Sequence, residues 1–152
     1  MVVFIDDRKQ KELISSTILA DLPDWFGLPD STAEYIKTSQ ELPFWAEIEN
    51  NTAKGFIVLK ETSSHTAEIY VMGVLKSFHN SEIGKELFEA FYNFSKSRDY
   101  SFIQVKTVQE GRYMEYDKTI QFYKKLGFKE LECFPTLWDK WNPCQIYIMA
   151  IK

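Results

Sequence analysis

Apolar positions change their period several times along the chain, and each change marks an element. Residues 8–20 carry Leu13, Ile14, Thr17 and Ile18 between polar positions at helical spacing, and Pro23 ends the run. Leu22-Pro23-Asp24-Trp25-Phe26-Gly27-Leu28-Pro29 has loop chemistry. Ser31, answered three residues later by Glu34, has the form of a capping box and predicts a short helix ending near Thr38. The period then drops. Residues 44–49 and 55–60 predict two strands joined through Asn50-Asn51 as a hairpin. Residues 67–75 predict a third strand, in which Gly73 marks a bulge or a close backbone approach. Ile83, Leu87, Phe88, Phe91, Tyr92 and Phe94 return to helical spacing over residues 82–98. A strand at 101–108, a helix at 117–126 stopped by Gly127, and strands at 128–133 and 145–151 complete the chain. Hairpins mixed with a βαβ crossover predict a single α+β domain over residues 1–152, built on a mixed sheet.

Composition narrows the function classes. Eighteen Lys plus Arg against 22 Asp plus Glu leave a net charge of −4, which argues against a sequence-independent nucleic-acid binder. The longest apolar run near the end, residues 146–151, is far below the roughly 20 residues that span a bilayer. The first residues meet Asp6 and Asp7 at once and do not form a signal peptide. Cys133 and Cys144 are not spaced for zinc, and neither His65 nor His79 lies near them, so no metal site is expected. Two reduced thiols predict a soluble, cytoplasmic protein with no membrane partner. Aromatic residues make up 16% of the chain, and all four tryptophans, Trp25, Trp45, Trp138 and Trp141, fall outside residues 67–130.

Two segments carry candidate chemistry. Between the third strand and the long helix lies Lys76-Ser77-Phe78-His79-Asn80-Ser81-Glu82-Ile83-Gly84-Lys85. A strand that enters a helix through such a loop turns unpaired amides outward, and the helix dipole adds to them; this suits a phosphate. The same pattern also serves as a plain structural connection. The second segment runs from Tyr116 to Phe128. There Phe122, Leu126 and Phe128 sit at core spacing, and Tyr123 presents a hydroxyl elsewhere, as a general acid or as a packing residue.

Together these segments resemble the GNAT superfamily of acetyl-CoA-dependent N-acetyltransferases. The strand Ala67-Glu68-Ile69-Tyr70-Val71-Met72-Gly73-Val74, the loop-helix His79-Asn80-Ser81-Glu82-Ile83-Gly84-Lys85 and the run Phe122-Tyr123-Lys124-Lys125-Leu126-Gly127-Phe128 carry the resemblance. His79 stands where the family has Arg or Gln, Glu82 where it has a glycine, and Tyr116 and Thr119 where it has Asn and Ala. The resemblance implies a mostly antiparallel sheet flanked by helices, with splayed central strands. It implies that acetyl-CoA lies along Met72, Gly73 and Val74, with its pyrophosphate on the amides of residues 80–85 and further contacts at His79, Tyr116, Thr119 and Phe122. Tyr123 becomes the acid for the leaving thiolate. Glu68 becomes a candidate base, with Glu47 second, and a cross-strand ion pair is the other reading of Glu68. On the same resemblance Trp25, Phe26, Trp45, Trp138 and Trp141 belong to the acceptor side, where aromatic walls suit a cationic small-molecule amine. A peptide acetyltransferase and a non-catalytic CoA-binding module are the alternatives. The aromatic last strand, at Tyr147, suggests a homodimer.

Overall fold

In the computed structural model, which describes residues 1–152, seven strands form one sheet in the order β1-β2-β3-β4-β5-β7-β6. The strands are β1 (Val2–Ile5), β2 (Phe44–Glu49), β3 (Thr52–Ser63), β4 (Thr66–Val74), β5 (Phe102–Val108), β6 (Lys129–Asp139) and β7 (Asn142–Ala150). Four helices cover it: α1 (Arg8–Ala20), α2 (Pro29–Ser39), α3 (Ile83–Ser97) and α4 (Met114–Leu126). Only β4 and β5 pair in parallel, because α3 carries the chain across between them.

Period-2 alternation divides the sheet into two cores. Phe44, Ala46, Phe56, Val58 and Val71 meet Ile14, Ile18 and Leu19 of α1 on one face. Trp45, Ile57, Ile69, Ile103 and Val105 meet Leu87 and Phe91 of α3 and Ile120 of α4 on the other. Each such fully buried Leu, Ile or Phe contributes about 1.5–3 kcal/mol.

Three sequence expectations are corrected. β1 was not expected; Val2–Ile5 pairs antiparallel with β2, too short for its alternation to register. Ser31 is not the cap of α2, which begins at Pro29, and the Ser31–Glu34 signal falls inside the first turn. Residues 134–144, expected as a loop, extend β6 and β7 into a long hairpin that turns at Asp139 and Asn142. The bulge of β4 falls at Tyr70, which has no opposite number where Val58 pairs Val71 and Leu59 pairs Ile69. Gly73 supplies the close approach instead: a Cβ there would stand 3.1–3.3 Å from Ile18, Leu22 and Phe56, so its hydrogen lets α1 onto the sheet. Gly127 caps α4 as expected, with φ of 110° and the Phe128 amide donating back to the Tyr123 carbonyl.

Candidate active site

The parallel pairing of β4 with β5 stops at Ile69 and Val105. Beyond it the two strands separate, so Met72, Gly73 and Val74 face a gap and not a partner strand. Leu75 N donates to Lys54 O on the β3 side, which turns the preceding Val74 carbonyl towards the gap. There it accepts from the protein's own His79 Nε2 at 2.7 Å.

A short 3-10 turn, Lys76–Phe78, joins β4 to this loop. Asn80 adopts a left-handed φ of 66°, and Ser81 Oγ donates to the Phe78 carbonyl. The amides of Asn80, Ser81, Glu82, Gly84 and Lys85 donate to no protein acceptor, and they open α3, a helix of 15 residues. Such a set of free amides fits a phosphate. Glu82 takes the N-cap position without a side-chain cap, which puts a carboxylate beside those amides. The Lys76 ammonium lies 3.5 Å from the Asp24 carboxylate, which offsets its charge at this loop. Gly84 allows α4 to approach: a Cβ there would stand 3.2 Å from the Phe122 ring and 3.6 Å from Met72.

Across the gap, α4 carries Tyr123, buried between Phe122 and Phe128. Its hydroxyl has no hydrogen-bond partner within the protein, and burial pushes its pKa well above the ordinary tyrosine value. The second influence on Tyr123 is Tyr35, which belongs to α2 on the other face of the sheet. Tyr116 Oη donates to the Trp25 carbonyl at 2.6 Å, and Trp25 Nε1 donates back to the Glu115 carbonyl at 3.2 Å. This reciprocal pair fastens the α1–α2 loop to the start of α4, and the Trp25 indole meets the His79 ring edge-on. Thr119 Oγ1 is spent on the Glu115 carbonyl.

Glu68 is 4% exposed and lies on the α1–α2 face, opposite to its neighbours Ala67 and Ile69. Gln104 Nε2 donates to its Oε1 at 3.0 Å, and Lys106 Nζ lies 3.3 Å from the same oxygen. The carboxylate is paired across the strands, and its Oε2 receives no hydrogen bond from the protein. Glu47 is not comparable. It faces the α3 side and binds the terminal ammonium of Met1 through Oε1 at 2.6 Å. Around Glu68, Tyr35 and Tyr70 meet edge-on, and Phe26 packs perpendicular to Tyr35.

The four tryptophans do not form one wall. Trp45 is buried against Phe4, Phe91 and Phe94, because alternation along β2 turns it to the α3 side. Trp138 and Trp141 stand exposed on the β6–β7 hairpin, which extends beyond Val108 at the end where β4 and β5 separate. Trp25 and Phe26 alone adjoin the site. Tyr147 points into the core beneath α4 and offers no dimer surface, because β6 pairs outside β7. Tyr35, Tyr70, Gln104 and Lys106 were missed from the sequence. The signal for the last two was a pair of polar residues at alternate positions of an internal strand.

A sheet whose central parallel strands part, with free loop amides at the N-terminus of the crossover helix, defines an acyltransferase scaffold. The acetyltransferase (GNAT) domain model matches residues 40–130, more than half of the chain, and the chain belongs to that family. A GNAT-family protein from Desulfovibrio desulfuricans superposes with a TM-score of 0.83 at 15% identity, over 100% of both chains. The aminoglycoside 6'-N-acetyltransferase of Enterococcus faecium gives 0.77 at 20% identity, over 100% of this chain and 97% of that one. An aminoglycoside 6'-N-acetyltransferase complexed with coenzyme A gives 0.78 at 19%, with the same coverage. At these identities the likeness is one of fold. No curated protein matches the sequence significantly. No helix is long and apolar enough to cross a membrane.

Proposed function

We propose that the protein is an acetyl-CoA-dependent N-acetyltransferase that acetylates a primary amine of a small molecule by direct attack. The observation that carries this reading is the gap between β4 and β5, open to free amides at one end and to a carboxylate and a tyrosine on its two faces. Coenzyme A complexes among fold neighbours support the cofactor class.

Acetyl-CoA supplies the acetyl group as a thioester. The amides of Asn80, Ser81, Glu82, Gly84 and Lys85 bind its pyrophosphate, and the gap-facing backbone of Met72 to Val74 holds its arm once His79 yields the Val74 carbonyl. Glu68 Oε2 takes a proton from the substrate ammonium, since only the neutral amine has a lone pair to donate. Tyr123 Oη gives its proton to the departing sulfur. Burial keeps that hydroxyl protonated through neutral and mildly alkaline pH. A C–N bond forms, the C–S bond breaks, and one proton is released to solvent.

Thermal shift and thiol release test this together. At a hundredfold excess over Kd, CoA should raise Tm by roughly 5–10 °C. No shift at millimolar CoA or acetyl-CoA, and no thiol release from any amine, would overturn the proposal.

A further inference from the structure

The charges of the acceptor face are unlike those that a polycationic amine requires. Lys106 is the first residue of β5 beyond the pairing with β4, and its side chain lies on the same face as Glu68. Its ammonium pairs with Glu68 Oε1 at 3.3 Å, and the side chain is 36% exposed. Gln104 fixes the same carboxylate from the neighbouring position, leaving Oε2 without a donor. The site thus presents one carboxylate oxygen without a donor and, held by a single ion pair beside it, an ammonium, side by side at the edge of the gap. Tyr35 and Tyr70 form an aromatic wall beside them, and Lys60 sits over the Tyr70 ring, adding a second cation at the rim.

We infer that the acceptor is an α-amino acid or a close analogue, whose ammonium is bound by Glu68 and whose carboxylate is bound by Lys106. The inference rests on the acetyl-transfer reading above and specifies its substrate. An α-amino acid carries its ammonium and carboxylate on one carbon, close enough together to meet two anchors that are themselves in contact at 3.3 Å. A ligand with opposite charges in that order meets both anchors at once, and each anchor keeps a partner in the absence of substrate. A polyamine or an amino sugar offers no group to Lys106 and sets a second cation beside it, where like charges repel strongly at partly desolvated sites. Lys106 is a specificity residue in this arrangement and takes no part in proton transfer. The transfer step itself is unchanged: Glu68 Oε2 removes the ammonium proton, the amine nitrogen bonds to the acetyl carbon, and the thiol leaves with a proton from Tyr123.

The test is thiol release from acetyl-CoA with the twenty common α-amino acids, the amides of the same amino acids, spermidine and kanamycin. At least one amino acid should be turned over with kcat/KM tenfold or more above its own amide. Lys106→Met should bring that ratio close to one, mainly by raising KM for the acid, while Lys106→Arg should keep it. Continued turnover of the amide by the methionine variant shows that its loss on the acid does not arise from unfolding. Equal or faster turnover of an amide, spermidine or kanamycin by the unaltered protein overturns the inference and leaves the acetyltransferase reading intact. A ratio that Lys106→Met does not change overturns it as well. Thiol release from no panel member, in a protein that CoA still stabilises, removes the amino-acid substrate and leaves CoA binding. The same silence without CoA stabilisation removes both readings.

Discussion

His79 Nε2 lies 2.7 Å from the carbonyl oxygen of Val74, five residues earlier and at the end of β4. The ring therefore fills an acceptor that the separation of β4 from β5 exposes, and Trp25 packs against its other side. Replacing His79 by alanine frees that carbonyl. Because an exposed hydrogen bond contributes about 1 kcal/mol, His79→Ala should bind CoA about fivefold more tightly by calorimetry. A weaker complex would show that the imidazole assists the cofactor instead of competing with it.

Tyr123→Phe should lower turnover about a hundredfold or more while CoA affinity stays within twofold. The hydroxyl has no partner in the protein, so thermal stability should change by less than about 1 kcal/mol. Full activity of the variant across pH 6 to 9 would remove the proton-donor role.

Tryptophans of equal size should behave differently. Trp45 is 5% exposed within an aromatic cluster, and Trp45→Ala should cost about 3–5 kcal/mol in a denaturant titration. Trp141 is 66% exposed, and Trp141→Ala should stay within about 0.5 kcal/mol. Comparable losses at both sites would contradict the division of the indoles between core and hairpin.

Gly73→Ala should destabilise by about 1–3 kcal/mol, because its Cβ would press on Ile18, Leu22 and Phe56 at once. That corresponds to a fall in Tm of roughly 2–10 °C. An unchanged Tm would mean that α1 moves off the sheet without cost.

Alkaline pH should unfold the protein. Burial raises the pKa values of Tyr35, Tyr116 and Tyr123 above the ordinary value. As pH rises past about 10, the unfolded chain loses these protons first, so the folded state holds more protons and stability falls. The contribution is fully present below pH 10, and Tyr123 alone should lose on the order of 1 kcal/mol of it by pH 11. Phenolate absorbance and loss of the near-ultraviolet circular dichroism signal should appear together. Titration of every tyrosine at pH 10 in a chain that remains folded would contradict this.

Sequence periodicity determined three of the four helices and six of the seven strands, with their order along the chain, because each is long enough for its buried face to repeat; α2 was found through a capping signal that lies inside it. Local backbone requirements were equally legible: Gly127 at a left-handed cap and Asn50-Asn51 at a positive-φ turn follow from φ preferences that act over a few residues. The acceptor face was not legible. Glu68 is far in the chain from Gln104 and Lys106 and meets them only through the β4–β5 register, and one residue of slip would turn it to the other face. The same rule misdirected Trp45, whose hairpin suggested the acceptor side while its position in the alternation sends it to α3. Of the two readings of Gly73, the close approach holds, while the bulge falls at Tyr70, because strand pairing, and not residue type, decides where an extra residue is accommodated. Local chemistry wrote the elements; the pairing of strands distant in sequence decided which side chains stand together at the gap.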